Sequence, residues 1–225
     1  MKKLLSAFAF CYFALSLGVT AAGQSSTGQT AAPSLDDQLM NAAEQGDTAA
    51  VAQLLAQGAH VNAQDANGDT PLIAATAMGH MDMVKLLLDK GANPGLQDKT
   101  SDTALHFAAM TGNLEAVKLL LDKNAPVNGK NDRGFTPLMY GVTSHNLELV
   151  NLLLDHGADV EARDPNGFTS LMAASGGGFT GIVKALLDHG ANVNDKSTDG
   201  TTALKLALQF NHSDVVDLLR ARGAQ

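Results

Sequence analysis

The chain has 225 residues, of which 45% are apolar, 17% charged and only 4% aromatic, a composition that argues against both a disordered chain and an integral membrane protein. Fifteen Lys and Arg against twenty-three Asp and Glu give a net charge of −8, which disfavours nucleic acid and anionic membranes as partners. A single cysteine excludes an intrachain disulfide framework and a Cys-rich zinc site.

The chain begins with the basic start Met1-Lys2-Lys3, an apolar run over residues 4–19 and the small residues Val19-Thr20-Ala21-Ala22-Gly23. That order predicts a secretory signal peptide over residues 1–22, cut near Ala22, because the run is shorter than the roughly 20 residues that span a bilayer. Cys11 follows Phe10, where a lipoprotein signal needs a small residue. Losing the signal removes Cys11, Lys2 and Lys3, so the exported chain carries −10 and no thiol. Its expected place is the periplasm or the extracellular medium. Residues 23–34 are small, polar and turn-rich, and read as a flexible leader.

From residue 35 onward a 33-residue period organises the sequence. Thr70-Pro71-Leu72, Thr103-Ala104-Leu105, Thr136-Pro137-Leu138, Thr169-Ser170-Leu171 and Thr202-Ala203-Leu204 recur without insertion. Leu54, Leu87, Leu120, Leu153, Leu186 and Leu219 form a second column, and Gly58, Gly91, Asn124, Gly157, Gly190 and Gly223 a third. Each period predicts a pair of helices. Thr caps the first helix, Pro71 or Pro137 fits its first position, and Gly46, Gly79, Gly112 or Gly178 closes it in the left-handed conformation. A Leu-rich second helix then ends at the Gly-Ala pair, and Asp65 to Asp69, Asp132-Arg133-Gly134, Asn166-Gly167 and Asp199-Gly200 supply tight hairpin tips.

Thr103-Ala104-Leu105-His106-Phe107-Ala108-Ala109 and Gly157-Ala158-Asp159-Val160 are close copies of the ankyrin-repeat pattern, and over residues 35–225 the sequence resembles that family. The resemblance implies an all-α solenoid of helix-turn-helix units with projecting β-hairpin loops. Its units are an N-terminal cap (35–64), repeats over 65–97, 98–130, 131–163 and 164–196, and a C-terminal cap (197–225). Lys205 and Arg220 replace less polar residues in the last unit, so its outer face can meet water. Departures mark weak spots. They are Pro94-Gly95, Asn124-Ala125-Pro126, His145 in the turn-glycine column, and Gly176-Gly177-Gly178. Fraying is therefore expected in the units over 131–163 and 164–196, since each repeat touches only its neighbours.

Little in the chain points to catalysis. Gly176 to Gly181 satisfies a G-x-G-x-x-G string, but it joins two helices of a repeat, whereas a dinucleotide site needs a preceding strand. His156 and His189 share one column with Lys90 and Lys123; adjacent repeats would bring the two imidazoles within reach of one metal, but cations near helix C-termini are the plainer account. His106 matches the family's structural histidine. No cofactor, no metal site and no enzymatic activity are expected.

What remains is a surface suited to contact. In the family, partners dock on the hairpin tips and exposed first helices, which together form a concave groove. Transferred by position, that surface includes Asn67, Asp69, Met78, Asp102, Met110, Thr111, Arg133, Phe135, Asn166 and Phe168. Phe135 and Phe168 occupy equivalent positions on adjacent tips; they either anchor a partner or fold over their own hairpins. Lys130, Arg163 and Lys196 form a basic column that either steers an acidic segment or is a solvated edge paired with nearby Asp. The expectation is a monomeric, non-catalytic module that binds another protein through this groove, in one form supporting or stabilising an exported enzyme, with no nucleic acid and no membrane after signal removal. The alternatives are a secreted effector acting on a host protein and, from another class, a small-ligand or enzymatic site in the groove.

Overall fold

The computed structural model describes residues 32–225. The signal peptide, its cleavage near Ala22 and residues 23–31 of the leader lie outside the described residues. At Ser34 a reciprocal cap begins the first helix: the Ser34 hydroxyl accepts from the Asp37 N–H at 3.0 Å, and the Asp37 carboxylate accepts from the Ser34 N–H at 3.0 Å.

Twelve helices follow among the described residues, in six antiparallel pairs. They are α1 (Leu35–Gln45) with α2 (Thr48–Ala56), α3 (Pro71–Ala77) with α4 (Met81–Asp89), and α5 (Ala104–Met110) with α6 (Leu114–Asp122). The rest are α7 (Pro137–Thr143) with α8 (Leu147–Asp155), α9 (Ser170–Gly177) with α10 (Thr180–Asp188), and α11 (Ala203–Gln209) with α12 (Ser213–Ala221). The period of the sequence is thus the period of the fold, an all-α repeat solenoid. Helices of this length are marginal alone, so packing must hold them. The odd-numbered helices pack in one layer and the even-numbered in another.

The threonine column does what its chemistry predicts. Thr70, Thr136, Thr169 and Thr202 accept through Oγ1 from the N–H of Ile73, Met139, Met172 and Lys205 at 3.2–3.4 Å. Thr103 differs, because the His106 ring folds back onto it. Leu39, Leu72, Leu105, Leu138 and Leu171 are at most 2% exposed, and Leu87, Leu120, Leu153, Leu186 and Leu219 are fully buried. Burying each such side chain contributes about 1.5–3 kcal/mol. Between them Ala75, Ala108, Ala174 and Ala207 are also fully buried. Gly141 takes that place in α7, where a Cβ would approach Leu149 Cδ2 to 2.8 Å.

Three features differ from the sequence expectation or refine it. First, the projecting hairpins hold only isolated bridges, Gln97 with Thr103 and Arg163 with Thr169, in place of strand ladders. The tips are too short for more, and close instead through single bonds such as Asp65 N–H to Asp69 O at 3.0 Å. Second, His145 (φ 59°) and Asn211 (φ 60°) adopt the left-handed conformation that Gly46, Gly79, Gly112 and Gly178 adopt at the same step, which costs roughly 1–2 kcal/mol for His145 and less for asparagine, a residue that tolerates it. Third, the last unit exposes Lys205 and Arg220 but also Leu208, 49% accessible, in a column where Thr76, Ala109, Val142 and Ser175 are fully buried.

Neighbouring repeats are also tied by side-chain and backbone rungs. Asn62, Asn128, Glu161 and Asn194 accept through side-chain oxygens from the N–H of Asn93, Asp159, Asn192 and Gln225 at 2.7–3.0 Å. At the tips Lys99, Asp132 and Thr198 donate N–H to the carbonyls of Asn67, Thr100 and Asn166 at 2.8–3.0 Å. Pro165 interrupts that second ladder, since it has no N–H to give the Arg133 carbonyl. No described helix is long and apolar enough to cross a membrane.

Candidate functional site

Each hairpin tip is fixed by one polar side chain. Asp65 Oδ1 accepts from the N–H of Asn67 (2.7 Å) and Asp69 (2.8 Å), and Asp98 Oδ1 from Thr100 and Asp102. Asn131 Oδ1 accepts from Arg133 and Phe135, and Asp164 Oδ1 from Asn166 and Phe168. Such Asx turns hold the tip without help from a strand. These four residues were absent from the candidate surface because they build it instead of presenting to it. Their signal was the Asp/Asn column two residues before each tip.

The turns hold the 69/102/135/168 column in register along the stack, one side chain per repeat at about 10 Å intervals. Its chemistry changes along the stack. Asp69 is half-buried, and burial together with the charges of Asp65, Asp98 and Glu44 pushes its carboxyl up to about 6. No hydrogen bond reaches that carboxylate from the described residues. Burial raises the Asp102 carboxyl as well, against the hydrogen bonds from Asn131 Nδ2 (2.9 Å) and the Thr100 hydroxyl (3.2 Å), which lower it.

Phe135 and Phe168 are both half-buried. The Phe135 ring meets Tyr140 edge to face, with centroids 5.7 Å apart and planes at 87°, so part of its surface is spent on its own repeat. Tyr140 in turn accepts from Asn131 Nδ2 at 3.0 Å and edges onto His106 at 6.0 Å.

His106 is 1% exposed and ties two repeats together. Its Nδ1 accepts from the Thr103 N–H at 3.1 Å, which assigns the proton to Nε2; that N–H donates to the carbonyls of Gly129 (3.1 Å) and Phe135 (3.2 Å). Burial lowers its affinity for a second proton. The ring is a structural brace directly behind the Phe135 backbone.

The remaining candidates divide by position. Asn67, Arg133 and Asn166 are exposed along the tips. Met78, 57% accessible, and Thr111 cap the far ends of α3 and α5, with Met110 half-buried beside Thr111. A first helix of seven residues, about 10 Å, separates them from the tips. In the basic column, Lys130 Nζ donates to the Arg163 carbonyl at 3.1 Å. Arg163 donates to the Lys196 carbonyl at 3.3 Å and pairs with Asp195, while Lys196 is exposed. Gln64 does the same to the Gln97 carbonyl at 2.9 Å, so three members of the column stitch one repeat to the next whatever their charge, while Gln97 donates to the Ser101 carbonyl of its own tip at 3.2 Å.

The sites weighed for other chemistry are accounted for locally. His156 and His189 each turn Nδ1 to a carbonyl of their own helix at 2.8 Å, and His189 Nε2 faces Asp155 at 3.6 Å. Lys123 with Asp89 and Arg222 with Asp188 repeat that contact between neighbouring units. A Cβ on Gly177 would collide with the Phe179 ring, which lies 3.9 Å from His145 between centroids; the glycine run makes room for that ring. Among the described residues no three His, Cys, Asp or Glu side chains gather as a metal site would require. A hollow of about 220 Å³ lies beside the α11–α12 turn, below the roughly 300 Å³ at which small-molecule pockets begin.

Three overlapping matches to the ankyrin-repeat family model, over residues 39–100, 85–164 and 160–225, follow the same helix pairs. The fold is similar to the crystal structure of an ankyrin repeat domain from Acinetobacter baumannii AYE, with 29% identity and a TM-score of 0.78 over 83% of this chain and 98% of that one. Among curated proteins none matches. With its threonine caps, left-handed helix ends and Asx-pinned tips repeating in the family's own register, the chain belongs to the ankyrin-repeat family.

Proposed function

We propose that this chain is an exported, non-catalytic module that holds a partner protein across its hairpin tips and first helices, including a partner enzyme that it supports or stabilises. Ankyrin repeats are generally protein–protein interaction modules, and the family is generally non-catalytic. Export rests on the basic start, apolar run and small residues over 1–23.

The observation that supports this reading best is the 69/102/135/168 column, in which each tip presents one side chain on a turn already pinned by an Asx bond. Because those turns need no further ordering, binding there loses little conformational entropy. The column is acidic on its first two tips and aromatic on the next two, so it suits a partner segment with basic residues at one end and apolar residues at the other. Lys130 and Arg163 spend donors on backbone carbonyls, which leaves the tips as the better docking surface.

The test is recovery of partners from the exported fraction with the wild-type chain and an Arg133→Ala, Phe168→Ala double variant, each first shown to unfold at the same temperature. Loss of a partner from the variant supports the tips as the surface. Equal recovery of every partner by both proteins sinks it.

A further inference from the structure

We infer that Asn67 and Asn166, on two hairpin tips, are sites of spontaneous deamidation, and that Asn128, the third residue in an Asn-Gly pair, is protected by the fold. The sequence holds three such pairs, Asn67-Gly68, Asn128-Gly129 and Asn166-Gly167. Glycine leaves the backbone nitrogen after the asparagine open to approach. That nitrogen attacks the asparagine Cγ, an N–Cγ bond forms, and the side-chain nitrogen departs as ammonia, leaving a five-membered imide. Water then opens either carbonyl and gives aspartate or isoaspartate. Water is the only co-reactant, and nothing is oxidised or reduced.

Attack requires that the side chain swing over the next nitrogen, and that this nitrogen be released from its own hydrogen bond. The three nitrogens are held alike, by one backbone carbonyl each at 2.9–3.3 Å, and the sites differ in the hold on the side chain. Asn128 is held at each end, with Oδ1 accepting from the Asp159 N–H at 2.7 Å and Nδ2 donating to the Gly157 carbonyl at 3.0 Å. Asn128 is as exposed as the other two and Gly129 N–H is held by the Pro126 carbonyl at 3.3 Å, so its protection lies in the two side-chain bonds, with the Gly129 carbonyl also taking the His106 Nε2–H at 3.1 Å. Asn166 is exposed and its side chain makes no hydrogen bond to the described residues; Gly167 N–H is held by the Asp164 carbonyl alone, at 2.9 Å. Asn67 is exposed and has only a long contact, Nδ2 to Asp65 Oδ2 at 3.4 Å, with Gly68 N–H on the Asp65 carbonyl at 3.1 Å.

The fold holds aspartate at one such step, with a donor that the other two tips lack. The last unit carries Asp199-Gly200 at the same step, and the Asp199 carboxylate accepts from the Ser197 hydroxyl at 2.6 Å and the Thr201 N–H at 3.0 Å. At 67 and 166 the residue two positions earlier is Asp65 or Asp164, a carboxylate that already takes the Asp69 or Phe168 N–H, so aspartate there keeps the backbone path but sets a second negative charge beside the first. Isoaspartate does not, because the chain then runs through the side-chain carbon and the carbonyls that accept from Lys99 and Thr198 are displaced. Ageing of the protein would thus make the tips more acidic and loosen two inter-repeat rungs.

The test incubates the full chain in mildly alkaline, ¹⁸O-labelled water, folded and in urea, and maps label uptake by peptide mass spectrometry. In urea all three asparagines should convert. In the folded chain Asn67 and Asn166 should convert while Asn128 lags by on the order of tenfold or more, because it reacts only from locally opened molecules. Isoelectric focusing of the Asn67→Gln, Asn166→Gln variant should lack the acidic species that the wild type gains. Conversion of Asn128 in step with the other two in the folded chain, or no conversion of Asn67 and Asn166 over a period that converts them in urea, would overturn the inference.

Discussion

Gly95 and Pro126 stand at the two ends of one inter-repeat rung and cancel each other. Elsewhere in that ladder a side-chain oxygen accepts from the backbone N–H of the next repeat. Here Gly95 has no acceptor to offer and Pro126 no N–H to give, so neither leaves a partner unsatisfied. The two departures from the repeat pattern are one compensated change. Pro126→Asp alone should lower stability by about 0.4–1 kcal/mol by freeing the unfolded chain. Adding Gly95→Asn should recover about 0.5–1.5 kcal/mol through the restored rung. Urea unfolding of the four proteins as a double-mutant cycle measures the coupling, and additive effects would show that the rung does not form.

Pro165 has no such compensation. The Arg133 carbonyl opposite it receives no N–H, and the proline ring packs where a Cβ on Gly134 would approach Pro165 Cδ to 2.8 Å. The tips of the 131–163 and 164–196 units are therefore tied less tightly than those on either side. Amide exchange at these two tips should be faster than at the Asn67–Lys99 and Thr100–Asp132 rungs, and Pro165→Lys should slow it by supplying the donor. Unchanged exchange in the variant would mean that the missing rung does not govern opening.

The same unit buries two hydroxyls at a cost. Ser170 Oγ and Ser175 Oγ in α9 are inaccessible and have no hydrogen-bond partner among the described residues. In the Ser175 column Thr76 solves the problem by donating to the Leu72 carbonyl at 2.7 Å, while Ala109 and Val142 avoid it. Leaving a buried hydroxyl unpaired costs about 1–3 kcal/mol. Ser175→Ala should therefore raise stability by about 1 kcal/mol, read as a shift in urea midpoint at constant slope. A lower midpoint would show that the hydroxyl finds a partner in solution.

The helix pairs were legible in the sequence because they depend on residue identity at fixed offsets: a Thr to cap, a Leu to bury, a Gly to turn left-handed. The outer polar residues Lys205 and Arg220 were legible for the same reason. What was not legible depends on relations between repeats. Gly95 and Pro126 read as two separate weaknesses until the rung that joins them was seen. Lys130 and Arg163 read as charges, yet their donors serve the backbone of the next unit, as the neutral Gln64 does. Phe135 read as a candidate anchor, and its packing on Tyr140 requires knowing that Asn131 draws both into one cluster.

Asp69 gives the tips a response to pH whose sign can be worked out. Its carboxyl, ordinarily near 3.8, is raised to about 6 in the folded chain by burial and by Asp65, Asp98 and Glu44 around it. Between those values the folded chain keeps a proton that the unfolded chain has lost, so this residue's contribution to stability falls as pH rises from about 4 to about 6. Above that window the carboxylate is charged in both states and the penalty is complete. Asp69→Asn should therefore be more stable than wild type near neutral pH, with the difference shrinking to nothing below about pH 4. The comparison must be between the two proteins, because His106 acts in the opposite sense: its lowered proton affinity makes both lose stability as pH falls through the usual histidine range. Urea unfolding at several pH values supplies the measurement. A difference independent of pH would show that Asp69 is ionised throughout and that its charge is compensated at the tip.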